Sequence, residues 1–298
     1  MAIIGYYKRH MKRLSWKPVA TIAVLAATIT AFIWYFVSHP EVGQQLSQTS
    51  PKVLITILAL DLIGIVVLAF VTIASVRLCK VRLRLPDSLL LTMYTAIVNF
   101  FGPLQSGPAF RAVYLKKVYN VSLKRYASAA LVYYCIYGGL SVALLLSGVL
   151  KWWLIPIMLA GALCVLAIGR SKRFRPRLEQ LDLHGWYYLA LATMVQVAVV
   201  TLIYYTELRM VAPGTDFSQA LIYTGAANLA LFVSFTPGAI GFRESFLLFS
   251  QNLHHVSDST IVAANILDRA LYIVLLGILA LIIFGTHAKR HLDIKSTD

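Results

Sequence analysis

The residues best suited to ligand chemistry lie beside two short interruptions of otherwise apolar sequence. The second interruption reads FTPGAIGFRE at 235–244, where Arg243 and Glu244 follow a Pro-Gly pair and a further glycine. A helix that restarts at such a point presents free N–H groups and the positive end of its dipole, which stabilise an anion by about 0.3–2 kcal/mol. A guanidinium adds charge-assisted hydrogen bonds to phosphate oxygens. The pattern therefore predicts a site for an anionic phosphate group.

The first interruption, NFFGPLQSGPAFR at 99–111, is a weaker version of the second. Both contain Phe-x-Pro, a later Gly and a closing Phe-Arg, but the spacing differs, so the similarity falls short of a strict repeat. Proline removes a backbone donor and glycine permits tight turns. The predicted helix-breaking residues are Pro103, Gly107, Pro237, Gly238 and Gly241. The predicted substrate-binding residues are Arg111, Arg243, Glu244, Asp268, Arg269, Asn99 and Gln105.

Each candidate also has a purely structural interpretation. Arg243 either binds an anion or pairs with Glu244 or Asp268 to fix the interruption, and the sequence favours neither. Asp61 is either a functional carboxylate or a group that hydrates or pairs locally, and the tyrosine-rich run at 133–137 either lines a lipid path or packs. Interhelical hydrogen bonds are the better single explanation for several other polar side chains. These are Asn99, Gln105, Gln196, Asn228 and Asn265.

The composition indicates an integral membrane protein. The chain of 298 residues is 59% hydrophobic and 13% charged, and its mean hydropathy is +0.75, too apolar for a soluble domain. The net charge of +15 comes from short basic clusters between apolar runs, a pattern typical of membrane topology and not of a nucleic-acid surface. The three cysteines are scattered, and His254 and His255 lack a third ligand nearby. No metal, cofactor or nucleic-acid partner is predicted.

Six apolar runs are long enough to cross a bilayer, which needs roughly 20 apolar residues. They are 19–37, 53–73, 127–149, 152–168, 186–205 and 260–284. The runs 88–101 and 217–234 end at the two interruptions, and the second is followed by 244–253. Freed peptide groups are tolerated in a bilayer only where protein or a watery cavity satisfies them. We therefore predict that each interruption forms a re-entrant helical hairpin.

The distribution of Lys and Arg predicts the topology. The segments 1–18, 74–87, 109–125, 169–185 and 285–298 hold five, four, five, five and three of these residues, against one in each of three outer loops. The basic segments, and with them both termini, are therefore expected in the cytoplasm. The predicted fold is an all-α integral membrane protein with six transmembrane helices plus two re-entrant hairpins. It forms a single domain, 1–298, with inverted-topology repeats at about 19–149 and 152–284.

Taken together, the two interruptions resemble the flippase-like membrane domain of lysylphosphatidylglycerol synthases. TPGAIGFRE at 236–244 is similar to a Pro-Gly-x-x-Gly-x-Arg-Glu stretch of that family, and the sequence at 99–122 and Asp268-Arg269 fit as well. Ala239 stands where the family often has a second Gly, and Pro108 where it often has an acidic residue. The resemblance implies movement of a lipid or lipid-linked head group between leaflets. Synthase activity is not expected, because no soluble transferase domain accompanies the motifs.

These observations predict a non-enzymatic lipid translocator of the cytoplasmic membrane with an anionic lipid as its partner. The candidate site has three arginines and two carboxylates, which leaves one positive charge: Arg111, Arg243, Arg269, Glu244 and Asp268. An anionic head group would neutralise that charge. Two other classes stay open: a scaffold or accessory subunit for a lipid-modifying enzyme, and a lipid-phosphate enzyme. The enzyme is less favoured because no cluster of histidines with carboxylates is apparent. The oligomeric state is not predicted.

Overall fold

The computed structural model describes residues 30, 37, 50–101, 106–150, 185–233, 239 and 241–295. Within these ranges every regular element is a helix. The helices are α1 (Pro51–Leu78), α2 (Leu85–Phe101), α3 (Ser106–Tyr119), α4 (Leu123–Leu150), α5 (Trp186–Val211), α6 (Phe217–Val233), α7 (Phe242–Phe249), α8 (Gln251–His254) and α9 (Asp258–Lys295). The predicted all-helical class is confirmed for this part of the chain.

Four of these helices are long and apolar enough to cross a membrane, namely α1, α4, α5 and α9. They correspond to the predicted spans 53–73, 127–149, 186–205 and 260–284. The other two predicted spans, 19–37 and 152–168, lie outside the described residues, as does most of the basic segment 169–185. The six-span count, the re-entrant course of the hairpins and the inverted repeat therefore stay predictions.

Two predicted boundaries are wrong. Helix α5 continues to Val211, beyond the predicted end of its span at residue 205. The reason is that the buried face of α5 does not stop at Tyr205: Tyr204 and Leu208 continue the three- and four-residue spacing of its buried side chains. The run predicted at 244–253 is two short helices, since α7 ends before Ser250, whose hydroxyl donates to the carbonyl of Phe246.

The distribution of side chains is that of a membrane protein. Large apolar residues are exposed along the outer faces of the long helices, among them Phe70, Leu131, Leu191 and Leu281. Buried positions include many polar side chains, such as Thr72, Thr193, Glu207 and Asn265. Apolar residues facing outward are stable only against lipid, whereas buried polar groups need internal partners. The functional residues are therefore sought among the buried polar groups.

Helices that are distant in the sequence pack against each other. Helix α1 packs on α5, α4 packs on α6, and α9 packs on α2, so the last long helix of each predicted repeat contacts the first arm of the interrupted pair in the other. Ile57, Ile203, Leu267 and Leu271 join α1, α5 and α9 in one buried cluster. Helix α7 packs on α6 and α9, and its Leu247 shares a buried cluster with side chains of α5.

Helices α4 and α6 approach each other unusually closely at Gly225. A Cβ atom there would lie 2.6 Å from the carbonyl oxygen of Ser141 and 2.8 Å from the Cα of Leu145. No side chain fits in that space, and the glycine lets the two backbones touch, as small residues do in membrane helix pairs. Helix α6, the first arm of the second interruption, is thereby held against α4.

Candidate functional site

The start of α7 places Arg243 and Glu244 in its first turn. Gly241 precedes the helix with φ 82°, a left-handed backbone conformation that glycine adopts without strain. Its N–H donates to Oε2 of Glu244 at 2.8 Å, so that carboxylate caps the helix start. The predicted breaking residues Pro237 and Gly238, like Pro103 and Gln105 at the first interruption, lie outside the described residues.

Two ion pairs join α7 to α9. Arg243 Nη1 donates to Oδ2 of Asp268 at 2.5 Å, and Arg269 Nη2 donates to Oε1 of Glu244. Adjacent residues point about 100° apart on a helix, so the two pairs fix both the rotation and the register of α7 against α9. The sequence offered Glu244 and Asp268 as partners of Arg243. In the structure Arg243 is paired with Asp268.

The guanidinium of Arg243 is buried but only partly satisfied. The side chain is 9% exposed, and its Cζ lies 4.9 Å from the ring centroid of Tyr204, a cation–π contact. Its Nε and Nη2 have no hydrogen-bond partner within the described residues. A buried donor without a partner costs about 1–3 kcal/mol. Such donors indicate a position where the oxygens of a ligand or water complete the bonding.

Two further carboxyl groups join these pairs, and we call the six residues the charge cluster. Glu207 of α5 is 2% exposed, and its charge interacts with those of Asp268, Arg243 and Asp61. Asp61 of α1 also interacts with Asp268. The cluster comprises Asp61, Glu207, Arg243, Glu244, Asp268 and Arg269. Carboxyl groups outnumber guanidinium groups in it, which corrects the expected excess of one positive charge at this site.

A shell of polar side chains surrounds the charge cluster. Asn265 Nδ2 donates to the hydroxyl of Tyr223 at 3.1 Å, which confirms an interhelical bond between α9 and α6. The ring of Tyr223 packs edge to face against Tyr204, with centroids 5.7 Å apart. Asn265 Oδ1 and both polar side-chain atoms of Asn228 have no hydrogen-bond partner in the described part of the chain. The site thus contains unpartnered donors and acceptors together.

The first interruption is held together by neutral contacts. Asn99 Oδ1 accepts a hydrogen bond from the N–H of Gly107 at 3.3 Å, and the hydroxyl of Ser106 donates to the carbonyl of Val98 at 2.8 Å. A Cβ atom at Gly107 would lie 2.9 Å from the carbonyl oxygen of Thr95, so α2 and α3 are in close contact there. The structure gives Asn99 this packing role, and its role as a substrate ligand stays a prediction.

Arg111 faces tyrosines and not carboxylates. It is half-buried, and its charge interacts with the hydroxyl groups of Tyr126, Tyr133 and Tyr134 on α4. No ion pair of Arg111 occurs within the residues that the structure describes, and its Nε lacks a hydrogen-bond partner there. Its positive charge is therefore not compensated by a carboxylate in this part of the chain.

Tyrosines interact with the arginines of both interruptions. The charge of Arg111 interacts with the hydroxyl of Tyr133, and the ring of Tyr133 stacks on that of Tyr137 with centroids 5.8 Å apart. Tyr137 in turn interacts with Tyr204, over which Arg243 lies. We call Tyr133, Tyr137 and Tyr204 the tyrosine row. Tyr133 and Tyr137 thus pack against each other and also interact with residues of both candidate sites.

Glu207 is a candidate functional residue that sequence analysis missed. It lies beyond the predicted span 186–205. The signal that would have placed it inside is its spacing: Glu207 follows the buried Ile203 by one helical turn. A carboxylate on the buried face of a helix is a functional candidate in a membrane protein.

The fold and site define a multi-pass helical membrane protein with a charge cluster between an interrupted helix and the last long helix. The chain belongs to the family of the lysylphosphatidylglycerol synthase TM region, which matches residues 19–280. The resemblance seen in the sequence is thereby confirmed, and the family indicates a role related to membrane lipids. The comparison with curated proteins gave no match.

Proposed function

We propose that this protein moves an anionic lipid, or a lipid-linked head group that carries a phosphate, between the leaflets of the cytoplasmic membrane. The observation that carries the proposal is the tyrosine row, because Tyr204 at one end contacts Arg243 and Tyr133 at the other end interacts with the charge of Arg111. Membership of a lipid-related membrane family supports a lipid as the transported molecule. Paired helix interruptions are a common basis of alternating access in transporters.

Both arginines keep N–H groups available for phosphate oxygens. Arg243 uses Nη1 for Asp268, while its Nε and Nη2 have no partner within the described residues. Arg111 has no carboxylate partner in the same part of the chain. Phosphate accepts charge-assisted hydrogen bonds from a guanidinium, and tyrosine hydroxyl groups between the two arginines donate further bonds. A phosphate group can thus pass from one arginine to the other without losing all its partners.

Lipid movement by purified protein in vesicles tests the proposal. The vesicles contain a fluorescent phosphatidylglycerol analogue in both leaflets, and a membrane-impermeant reductant bleaches the outer leaflet alone. We expect wild-type protein to expose the inner pool to bleaching, and an analogue with an uncharged sugar head group to stay protected. Arg209→Gln, at the exposed end of α5, is the matched control and should act like wild type. Full activity in both Arg111→Gln and Arg243→Gln contradicts the proposal.

The other two functional classes give different outcomes in the same system. A scaffold for a lipid-modifying enzyme needs no path between the interruptions, so it would bind its partner and leave the inner pool protected. A lipid-phosphate enzyme would release phosphate or transfer the head group, which thin-layer chromatography of the vesicle lipids detects. Bleaching of the inner pool with unchanged lipid composition therefore separates the translocator from both.

A further inference from the structure

Glu207 is a carboxyl group without a cation of its own. It is 2% exposed, and its Oε1 has no hydrogen-bond partner within the described residues. The two guanidinium groups of the charge cluster are already bonded, Arg243 to Asp268 and Arg269 to Glu244. A carboxylate removed from water is strongly destabilised unless a positive charge or several hydrogen bonds compensate it. A proton is the smallest group that removes this charge.

The neighbours of Glu207 come from several helices. Asp61 on α1, Arg243 on α7 and Asp268 on α9 interact with its charge, as do Tyr204 on its own helix and Tyr223 on α6. Two of these neighbours are carboxylates and only one is a cation. Closely spaced carboxyl groups cannot all ionise in a buried site, so such groups share protons. Glu207 is the most buried carboxyl of the charge cluster.

We propose that Glu207 takes up and releases a proton during each transport cycle, so that lipid movement is coupled to the proton gradient across the membrane. When the proton binds a carboxylate oxygen of Glu207, only Asp268 competes for Arg243, and the free N–H groups of that guanidinium face a phosphate. When the proton leaves to water, the Glu207 carboxylate attracts the guanidinium and displaces the phosphate. Proton and anionic head group therefore bind together and leave together. This inference rests on the proposed function and specifies its driving force.

The leaflet distribution of the lipid under a pH gradient tests the coupling. With one proton moved per lipid, a gradient of one pH unit shifts the ratio of labelled phosphatidylglycerol between leaflets by up to about tenfold in wild type. In Glu207→Gln the ratio should not respond to the gradient. Asp258→Asn, which removes an exposed carboxylate at the start of α9, is the matched control and should respond like wild type. Glu207→Asp keeps the carboxyl group and should recover at least part of the response.

Infrared difference spectroscopy between a near-neutral and an alkaline buffer tests proton binding without any transport, because exposed carboxylates are ionised in both buffers. We expect the carbonyl band of a protonated carboxylic acid to have the same intensity in wild type and Asp258→Asn, and a lower intensity in Glu207→Gln. A band of wild-type intensity in Glu207→Gln, or a leaflet ratio in that variant that still follows the gradient, overturns the proposal. If wild-type protein moves no lipid, the proposed function and the coupling both fail, and the band alone then decides whether Glu207 binds a proton.

Discussion

The two interruptions share a sequence pattern but have opposite electrostatic surroundings. At the first, Arg111 faces tyrosine hydroxyl groups, and the arms are held by neutral contacts of Asn99 and Gly107. At the second, Arg243 is paired with Asp268 and lies among further carboxyl groups. Within the described residues, the same Phe-Arg ending therefore supplies a cation without a carboxylate partner in one place and a paired cation in the other. An anionic head group should bind more strongly at the first interruption and be released more readily at the second.

The largest expected effect is that of Arg243→Gln, which leaves the partly buried Asp268 without its cation. Removing one partner of a buried ion pair costs about 3–5 kcal/mol, and we expect transport to be abolished. Arg243→Lys should also lose most activity, because lysine lacks the planar fork that binds phosphate with two bonds. Thermal unfolding in detergent and the vesicle assay measure the two effects.

The double variant Arg243→Gln/Asp268→Asn separates stability from transport. It removes the pair without leaving an unpaired charge, so we expect most of the stability to return while transport stays absent. Recovery of both stability and transport would mean that Arg243 serves only to fix α7 on α9. The contrast between the two interruptions would then carry no functional meaning.

Arg111→Gln should lower transport at least about tenfold while changing the free energy of unfolding by about 1 kcal/mol or less, because no ion pair is broken. The same assays apply, and Arg209→Gln is again the control. An unfolding penalty as large as that of Arg243→Gln would show that Arg111 has a buried anionic partner after all, and would remove the electrostatic difference between the two interruptions.

Gly107→Ala should destabilise the first interruption by about 1–3 kcal/mol, since the new methyl group would meet the backbone of α2. The matched control is Gly139→Ala on α4, where nothing lies within 4 Å of the added atom. Thermal unfolding compares the two variants. Equal melting temperatures for both would show that the close contact of α2 and α3 is not needed.

Glu244→Gln should be milder for transport than either arginine variant. It unpairs Arg269, which is partly exposed, yet the amide oxygen of glutamine can still accept the N–H of Gly241. In the vesicle assay, Glu244→Gln should lose much less transport than Arg243→Gln. Complete loss, together with loss of the response to a pH gradient, would place the transported proton on Glu244 and not on Glu207.

The smallest effect is expected at Asp216, outside the membrane-spanning helices. The N–H of Gln219 and the hydroxyl of Ser218 donate to its carboxylate and lower the pKa of Asp216, and this arrangement caps α6. The stabilisation is present above the usual pKa of an aspartate and is lost as the pH falls through the lowered value. Asp216→Ala should therefore melt slightly below wild type at neutral pH, with the difference vanishing in acid.

The sequence predicted the parts of this protein that depend on local composition. Apolar runs located α1, α4, α5 and α9, and charges inside apolar sequence located Arg243, Glu244, Asp268 and Arg269. It did not predict that Arg243 pairs with Asp268 and not with its neighbour, because that depends on the register between α7 and α9. Glu207 was missed because tertiary contacts of Leu208 extend α5 beyond the point where its apolar composition ends.

The contact of α4 and α6 at Gly225 has a mechanical consequence. Two backbones that touch without intervening side chains have almost no freedom to slide, so α6 must move with α4 as one rigid body, although the two lie in different predicted repeats. Helix α7, by contrast, is attached to α9 through charges that another ion can replace. Opening of the second interruption should therefore occur between α7 and α9, while α4 and α6 stay together.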